Sequence, residues 1–336
     1  MLVAAASVRG VARSDRDVLS RPSEPPDVVL RWADHDDGVA DMWLPPARVP
    51  APGAPSRAPS AAPLLYVLHG GFWRRDWDRR HVRPLAQALG ALGWVVVAPE
   101  YARVGGGRVR AGDAVWPLVA DDLRTMRRRV PKLLAEVAPG RVATERPVLV
   151  GHSAGGQLAL WWALDAADPD RAGAGVPTGD GADAGAAPRH VVGLAPVADL
   201  RAAHAAGLGD GAVQALLGAP QPGGSDPGGR AWASADPATR LRAEGHPPGC
   251  ELTVVHGDAD AQVPVAHSLA LGADLPMLDV RVLPGVEHFA LIDPLSAAWP
   301  AVRAALPPPA HPPAALPPAA LPPAAQPPAR RRPFPP

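Results

Sequence analysis

A single cysteine, Cys250, leaves no partner for an intrachain disulfide and excludes a cluster of thiolate metal ligands. An excess of charge of either sign is also missing. The 33 Lys and Arg residues balance 33 Asp and Glu, so the overall charge does not favour a nucleic acid or an anionic membrane as partner. Lysine is nearly absent, with Lys132 the only one, and this scarcity beside abundant Ala, Arg, Pro and Gly is a compositional bias that carries no chemistry. No apolar run approaches the roughly 18 residues needed to span a bilayer. The apolar run in the leading MLVAAASVRGVARSDRD is broken by Arg9 and Arg13 and is too short for a signal-peptide core. The expectation is a soluble, cytoplasmic protein whose partner is a small-molecule substrate, with no nucleic acid and no membrane involved.

Across the 336 residues, 47% hydrophobic content allows one large α/β domain. VVLRW (28–32) and DMWLP (41–45), with HDDG between them, read as a leading hairpin. LLYVLHG, WVVVAPEY, PVLVGHS, HVVGLAP, ELTVVHG and DVRVLPG then read as six buried strands, apolar enough for a parallel sheet covered on both faces. Helical patterns near 80–92, 115–136, 154–166, 210–217, 264–273 and 294–306 alternate with them, which predicts a doubly wound α/β sheet. Residues 1–27 are expected to be a flexible extension, 28–306 the folded domain, about 201–248 a lid-like insertion, and 307–336 a proline-rich disordered tail. The glycine-rich stretch 167–189 reads as a mobile surface loop.

Within this pattern, Gly151-His-Ser-Ala-Gly155 fits G-x-S-x-G, a turn that holds a serine between a strand and a helix. The motif alone is a weak signal, but VLV precedes it and QLALWWAL follows, so Ser153 sits where a nucleophile would. Its base and acid are expected after late strands, in the order acid then histidine. His288 in VEHFALIDP fits the base. Asp260 and Asp258 both fit the acid by position, and the run from His256 to Pro264, similar to the hydrolase pattern H-G-x-x-D-x-x-V-P, favours Asp260. An early loop, His69-Gly70-Gly71, follows the strand LLYVL. Glycines there let main-chain amides approach a substrate, which makes Gly70, Gly71 and Ala154 the candidate oxyanion donors, with His69 ordering the loop. Phe72, Trp73 and Trp77 are candidates for a substrate pocket. Nothing in this set calls for a metal or cofactor.

Together these motifs resemble an α/β-hydrolase of the esterase and lipase group over residues 28–306. HGGFW (69–73), APEY (98–101), GHSAGG (151–156), LAPVADL (194–200), HGDADAQVP (256–264) and EHFALIDP (287–294) are similar to its kynurenine formamidase-like branch, in which HGGYW is usual. The resemblance implies a serine hydrolase acting on small carboxylic esters or aryl formamides through an acyl-enzyme. The alternative is a noncatalytic small-molecule-binding protein on the same fold. Such proteins commonly lose a member of the triad, and here all three are present.

Overall fold

The computed structural model describes residues 16–46, 61–110, 112–168, 187–218 and 229–309. The expectations for residues 1–15, for 169–186 of the glycine-rich stretch and for the tail from 310 onward lie outside them.

Eight strands make one sheet: β1 (Val28–Arg31), β2 (Val39–Trp43), β3 (Ala62–Leu68), β4 (Val95–Pro99), β5 (Val142–His152), β6 (His190–Leu194), β7 (Glu251–Gly257) and β8 (Asp279–Leu283). Their order is β1-β2-β4-β3-β5-β6-β7-β8. The hairpin β1-β2 is antiparallel and joins antiparallel to β4, and every other pairing is parallel.

Period-two alternation explains how a run of apolar residues serves both faces of this sheet. In β3, Leu64, Tyr66 and Leu68 enter one core, and Leu65 and Val67 enter the other. Val95 and Val97 of β4 likewise oppose Val96 and Ala98. The first core is closed by α3 (Trp116–Val137) and α4 (Ala154–Ala167), the second by α2 (Arg83–Ala91) and the helix Trp299–Ala304. A helix apolar all round must be buried on all sides. In α4 every residue from Ala154 to Asp165 is buried, because the helix lies between the sheet and the helix Pro237–Glu244. Each fully buried Leu or Val contributes about 1.5–3 kcal/mol relative to exposure.

Three expectations need correction. The strand β8 is not enclosed; it is the edge of the sheet, and each of its residues is half-buried or exposed. The last helix is shorter than 294–306, since a 3₁₀ turn over His288–Ile292 precedes the helix Trp299–Ala304. Residues 16–27 are not a free extension. In α1 (Asp17–Ser20), Val18 is 1% exposed within the second core, and the Arg21 guanidinium pairs with both carboxylate oxygens of Asp293.

Between β6 and β7 the described residues form four short helices, Leu200–Ala205, Ala212–Leu217, Gly229–Ala235 and Pro237–Glu244. Asp236 links two of them. Its carboxylate accepts the amides of Leu200 at 3.0 Å and Ala238 at 3.3 Å and the Thr239 hydroxyl at 2.7 Å. Among the described residues, no helix is long and apolar enough to cross a membrane.

Candidate active site

Ser153 follows β5 with φ 56° and ψ −118°, a conformation costly for any residue with a Cβ. The surroundings enforce it. The Ser153 amide donates to Leu194 O at 2.8 Å, and its carbonyl accepts from Gly156 at 2.9 Å and Val197 at 3.1 Å. The flanking glycines are required by close approach: a Cβ on Gly155 would lie 2.1 Å from Leu68 O, and one on Gly151 2.1 Å from Gly155 O. The G-x-S-x-G pattern is thus the steric condition for packing this turn against the end of β3.

The loop after β3 rests on the same turn. A Cβ on Gly70 would stand 3.0 Å from the Ser153 Cβ. Gly71 has φ 106°, and the place of its missing Cβ is filled by the Trp77 side chain, 2.2 Å away. Phe72 and Trp73 continue at φ 50° and 55°. The amides of Gly70, Gly71 and Ala154 have no acceptor among the described residues, which leaves them available to an oxyanion. His69 is occupied by structural bonds: its Nε2 shares a 2.6 Å hydrogen bond with Glu100 Oε1, and its ring stacks on Tyr101, whose hydroxyl donates to His69 O at 2.8 Å. Burial pushes the Glu100 carboxyl up, but the charges of His69 and Arg103 and the hydrogen bonds outweigh it and hold the group below its ordinary range.

Loops after β7 and β8 bring Asp260 to His288. The Nδ1–H of His288 donates to Asp260 Oδ2 at 2.6 Å, which leaves Nε2 as the basic nitrogen. Asp260 Oδ1 accepts the amides of Gln262 and Val263 at 2.7 and 2.8 Å, and His256 Nε2 stands 3.3 Å from Oδ2. Burial raises the Asp260 carboxyl, yet the hydrogen bonds from His256 and His288 and the imidazolium charge outweigh it and hold the group well below the usual carboxylate range. Asp258 is exposed and accepts the Gly285 amide at 2.6 Å, so it clamps the two loops together and does not reach His288.

His152, the residue before Ser153, ties the histidine loop to the elbow. Its Nε2–H donates to the His288 carbonyl at 3.2 Å, and the two rings lie 4.5 Å apart. Burial, then the charges of His288 and His81, push the His152 pKa well below its ordinary value. Ser153 and His288 are 2% and 4% exposed.

Of the three pocket candidates, Trp73 needs correction. It has no exposed surface, and its indole N–H donates to Gln157 Oε1 at 3.1 Å while Gln157 donates to Ala235 O at 2.8 Å, so Trp73 pins the loop to α4 and to the helix Gly229–Ala235. Trp77 stacks on Phe289 at 6.0 Å and fixes the Gly71 turn against the histidine loop. Phe72 is half-buried, with its ring against Gly209 in the segment between β6 and β7, where a Cβ would come within 2.7 Å of it. Next to it, Arg74 Nη2 donates to Gly209 O at 2.5 Å and Asp210 O at 3.1 Å. Sequence reasoning does not single out Glu100, Gln157, His152 or Arg74. A charged residue directly behind the buried run VVVAP is a signal for Glu100, but the others depend on contacts made only in the fold.

Among the described residues, no group of three or more His, Cys, Asp or Glu side chains is placed to hold a metal. By structure the chain is similar to esterase B from Lactobacillus rhamnosis HN001, with a TM-score of 0.60 at 17% identity over 86% of both chains. It is similar to the propionate-bound Est2 esterase of the planctomycete Thermogutta terrifontis, with a TM-score of 0.53 at 19% identity over 80% of this chain and 87% of that one. A truncated carbohydrate esterase from gut microbiota gives 0.59 at 16% identity over 82% of this chain and 95% of that one. These likenesses establish the α/β-hydrolase fold. No curated protein matches by sequence. The family model named BD-FAE matches residues 54–275, more than half of the chain and a span that holds the Gly70 loop, the Ser153 elbow and Asp260; the chain belongs to the BD-FAE family.

Proposed function

We propose that the protein is a serine hydrolase of small carboxylic esters. The observation that carries this reading is the 2.6 Å bond from His288 to Asp260 beside an elbow that holds Ser153 at φ 56°. Ser153 Oγ attacks the ester carbonyl as His288 Nε2 takes its proton, and Asp260 stabilises the imidazolium. The amides of Gly70, Gly71 and Ala154 receive the oxyanion, a contribution of about 10²–10³ in rate per donor. The imidazolium then protonates the leaving alcohol, and water attacks the acyl-enzyme by the same route. All of this chemistry is supplied by the chain itself.

Short acyl groups are the preferred substrates in this reading. Ser153 and His288 are nearly buried, and the Est2 structures with propionate and with butyrate bound support small acids in a site of this fold. Formamide hydrolysis, suggested by the likeness of HGGFW and EHFALIDP to the formamidase-like branch, is assigned as a minor activity. Phe72 brings no phenolic hydroxyl, and an apolar wall separates related substrates by only about 10- to 200-fold.

The test is turnover of nitrophenyl acetate and butyrate against N-formylkynurenine by purified protein, with labelling by a fluorophosphonate. Ester turnover and labelling lost together in Ser153→Ala are expected. A formamide preference above about a hundredfold in kcat/KM would make the protein a dedicated formamidase, and no labelling of the native chain would make it a binding protein.

A further inference from the structure

Two arginines without carboxylate partners meet at the end of the sheet away from Ser153. His190 and Glu251 are the first residues of β6 and β7, whereas Ser153 follows the last residue of β5. The five-residue strand β6 alone separates the two ends by roughly 13–16 Å. At the far end lies a recess of about 420 Å³ lined by Arg146, Arg189, His190, His246, Glu251 and Pro307.

Both guanidiniums are held in place by neutral groups. Arg146 donates through Nη2 to Gly249 O, and a Cβ on Gly249 would stand 3.1 Å from that nitrogen, so the side chain lies flat against the glycine. Arg146 itself has φ 52°, a conformation costly for a residue with a Cβ. The Arg189 guanidinium lies over the Trp94 ring, 5.5 Å from its centroid. Neither has an ion pair among the described residues, and both guanidiniums line the recess. His190, 6% exposed, is anchored through Nε2 to Thr253 Oγ1 at 2.9 Å, and its Nδ1 has no hydrogen-bond partner among the described residues. Glu251 is the one lining carboxylate. It stands 3.5 Å from that Nδ1 without a hydrogen bond, and its side chain is 81% exposed.

We propose that this recess binds a small molecule through a phosphate or carboxylate group, gripped by Arg146 and Arg189 and bonded to His190 Nδ1. Paired guanidiniums suit the planar or tetrahedral oxygens of such groups. The volume exceeds that of a bare ion, which favours a small organic anion, and Glu251 holds the place loosely until that anion arrives.

The test is calorimetric titration of the full chain with phenyl phosphate and with benzoate at fixed ionic strength, the tighter of the two identifying the group. Saturable binding, weakened about tenfold or more in Arg146→Ala and in Arg189→Gln but unchanged in Ser153→Ala, is expected. Glu251→Gln leaves the arginines intact and should tighten binding; circular dichroism confirms that each variant is folded. No saturation by either probe up to about 10 mM, equal affinity in both arginine variants and the native chain, or weaker binding in Glu251→Gln would each overturn the proposal.

Discussion

Ser153 is the residue on which backbone strain and chemistry meet. Because the turn is held by Leu194 O, Gly156 and Val197, removing its hydroxyl should not disturb it. Ser153→Ala is expected to unfold at the same urea concentration as the native chain and to lose about 10⁴–10⁶ in kcat, since nucleophile and base act as a unit. The two aspartates separate more sharply. Asp260→Asn turns an acceptor of the His288 Nδ1–H into an amide that no longer fixes the tautomer or balances the imidazolium, and kcat should fall about 10³–10⁴-fold. Asp258→Asn still offers an oxygen to the Gly285 amide and should cost less than about tenfold. Steady-state rates on one nitrophenyl ester decide both, and a larger loss for Asp258→Asn would reassign the acid.

Elements differ in how far the sequence announces them. The elbow, the glycine loop after β3 and the acid turn were legible because each is a local steric or hydrogen-bonding requirement written within nine residues or fewer. The strands of the sheet interior were legible because burial on both faces demands an unbroken apolar run. β8, DVRVL, sets Asp279 and Arg281 among its apolar residues and has a neighbour on one side only, so reading it as buried overstated its burial. Trp73 could not be told from a pocket residue because its partner, Gln157, is 84 positions away. The role of α1 was hidden for the same reason, since Arg21 and Asp293 are 272 positions apart. That pairing gives α1 a function as a strap. Asp293 closes the 3₁₀ turn that begins at His288, and Val18 packs in the core with Phe289 and Leu291. Arg21→Ala should therefore cost about 1–3 kcal/mol of stability in urea titration, as a partly buried bidentate pair is broken. Arg21→Lys should recover only part, because an ammonium cannot span both carboxylate oxygens. Equal midpoints for all three chains would show that the strap contributes nothing.

At the scale of the whole molecule, buried histidines make stability depend on acid. Burial, then the charge of His69, pushes His81 down to about 3, with Glu100 and the Asp78 carbonyl only partly opposing. His152 lies well below its ordinary value, with burial again the largest cause. Unfolded, each would titrate near about 6.5. Below that pH the unfolded chain binds protons that the folded chain refuses, so the stability from neutral burial is complete above about 6.5 and erodes as pH falls toward 3. For His81 the loss by pH 5 is about 2 kcal/mol. Asp260 and Glu100 have depressed pKa values in the fold, so their contribution is present above about 4 and disappears only at lower pH. Two stages are therefore expected in unfolding free energy against pH: a histidine slope between about 6.5 and 4, then a steeper carboxylate fall. His81→Gln should flatten the first stage and leave the second in place; the buried His81 Nδ1 has no hydrogen-bond partner among the described residues. Urea titrations at pH 7, 5 and 3.5 on both chains measure this directly. An unchanged slope between pH 7 and 5 in His81→Gln would assign the acid sensitivity to other groups, with His152 the first to examine by the same substitution.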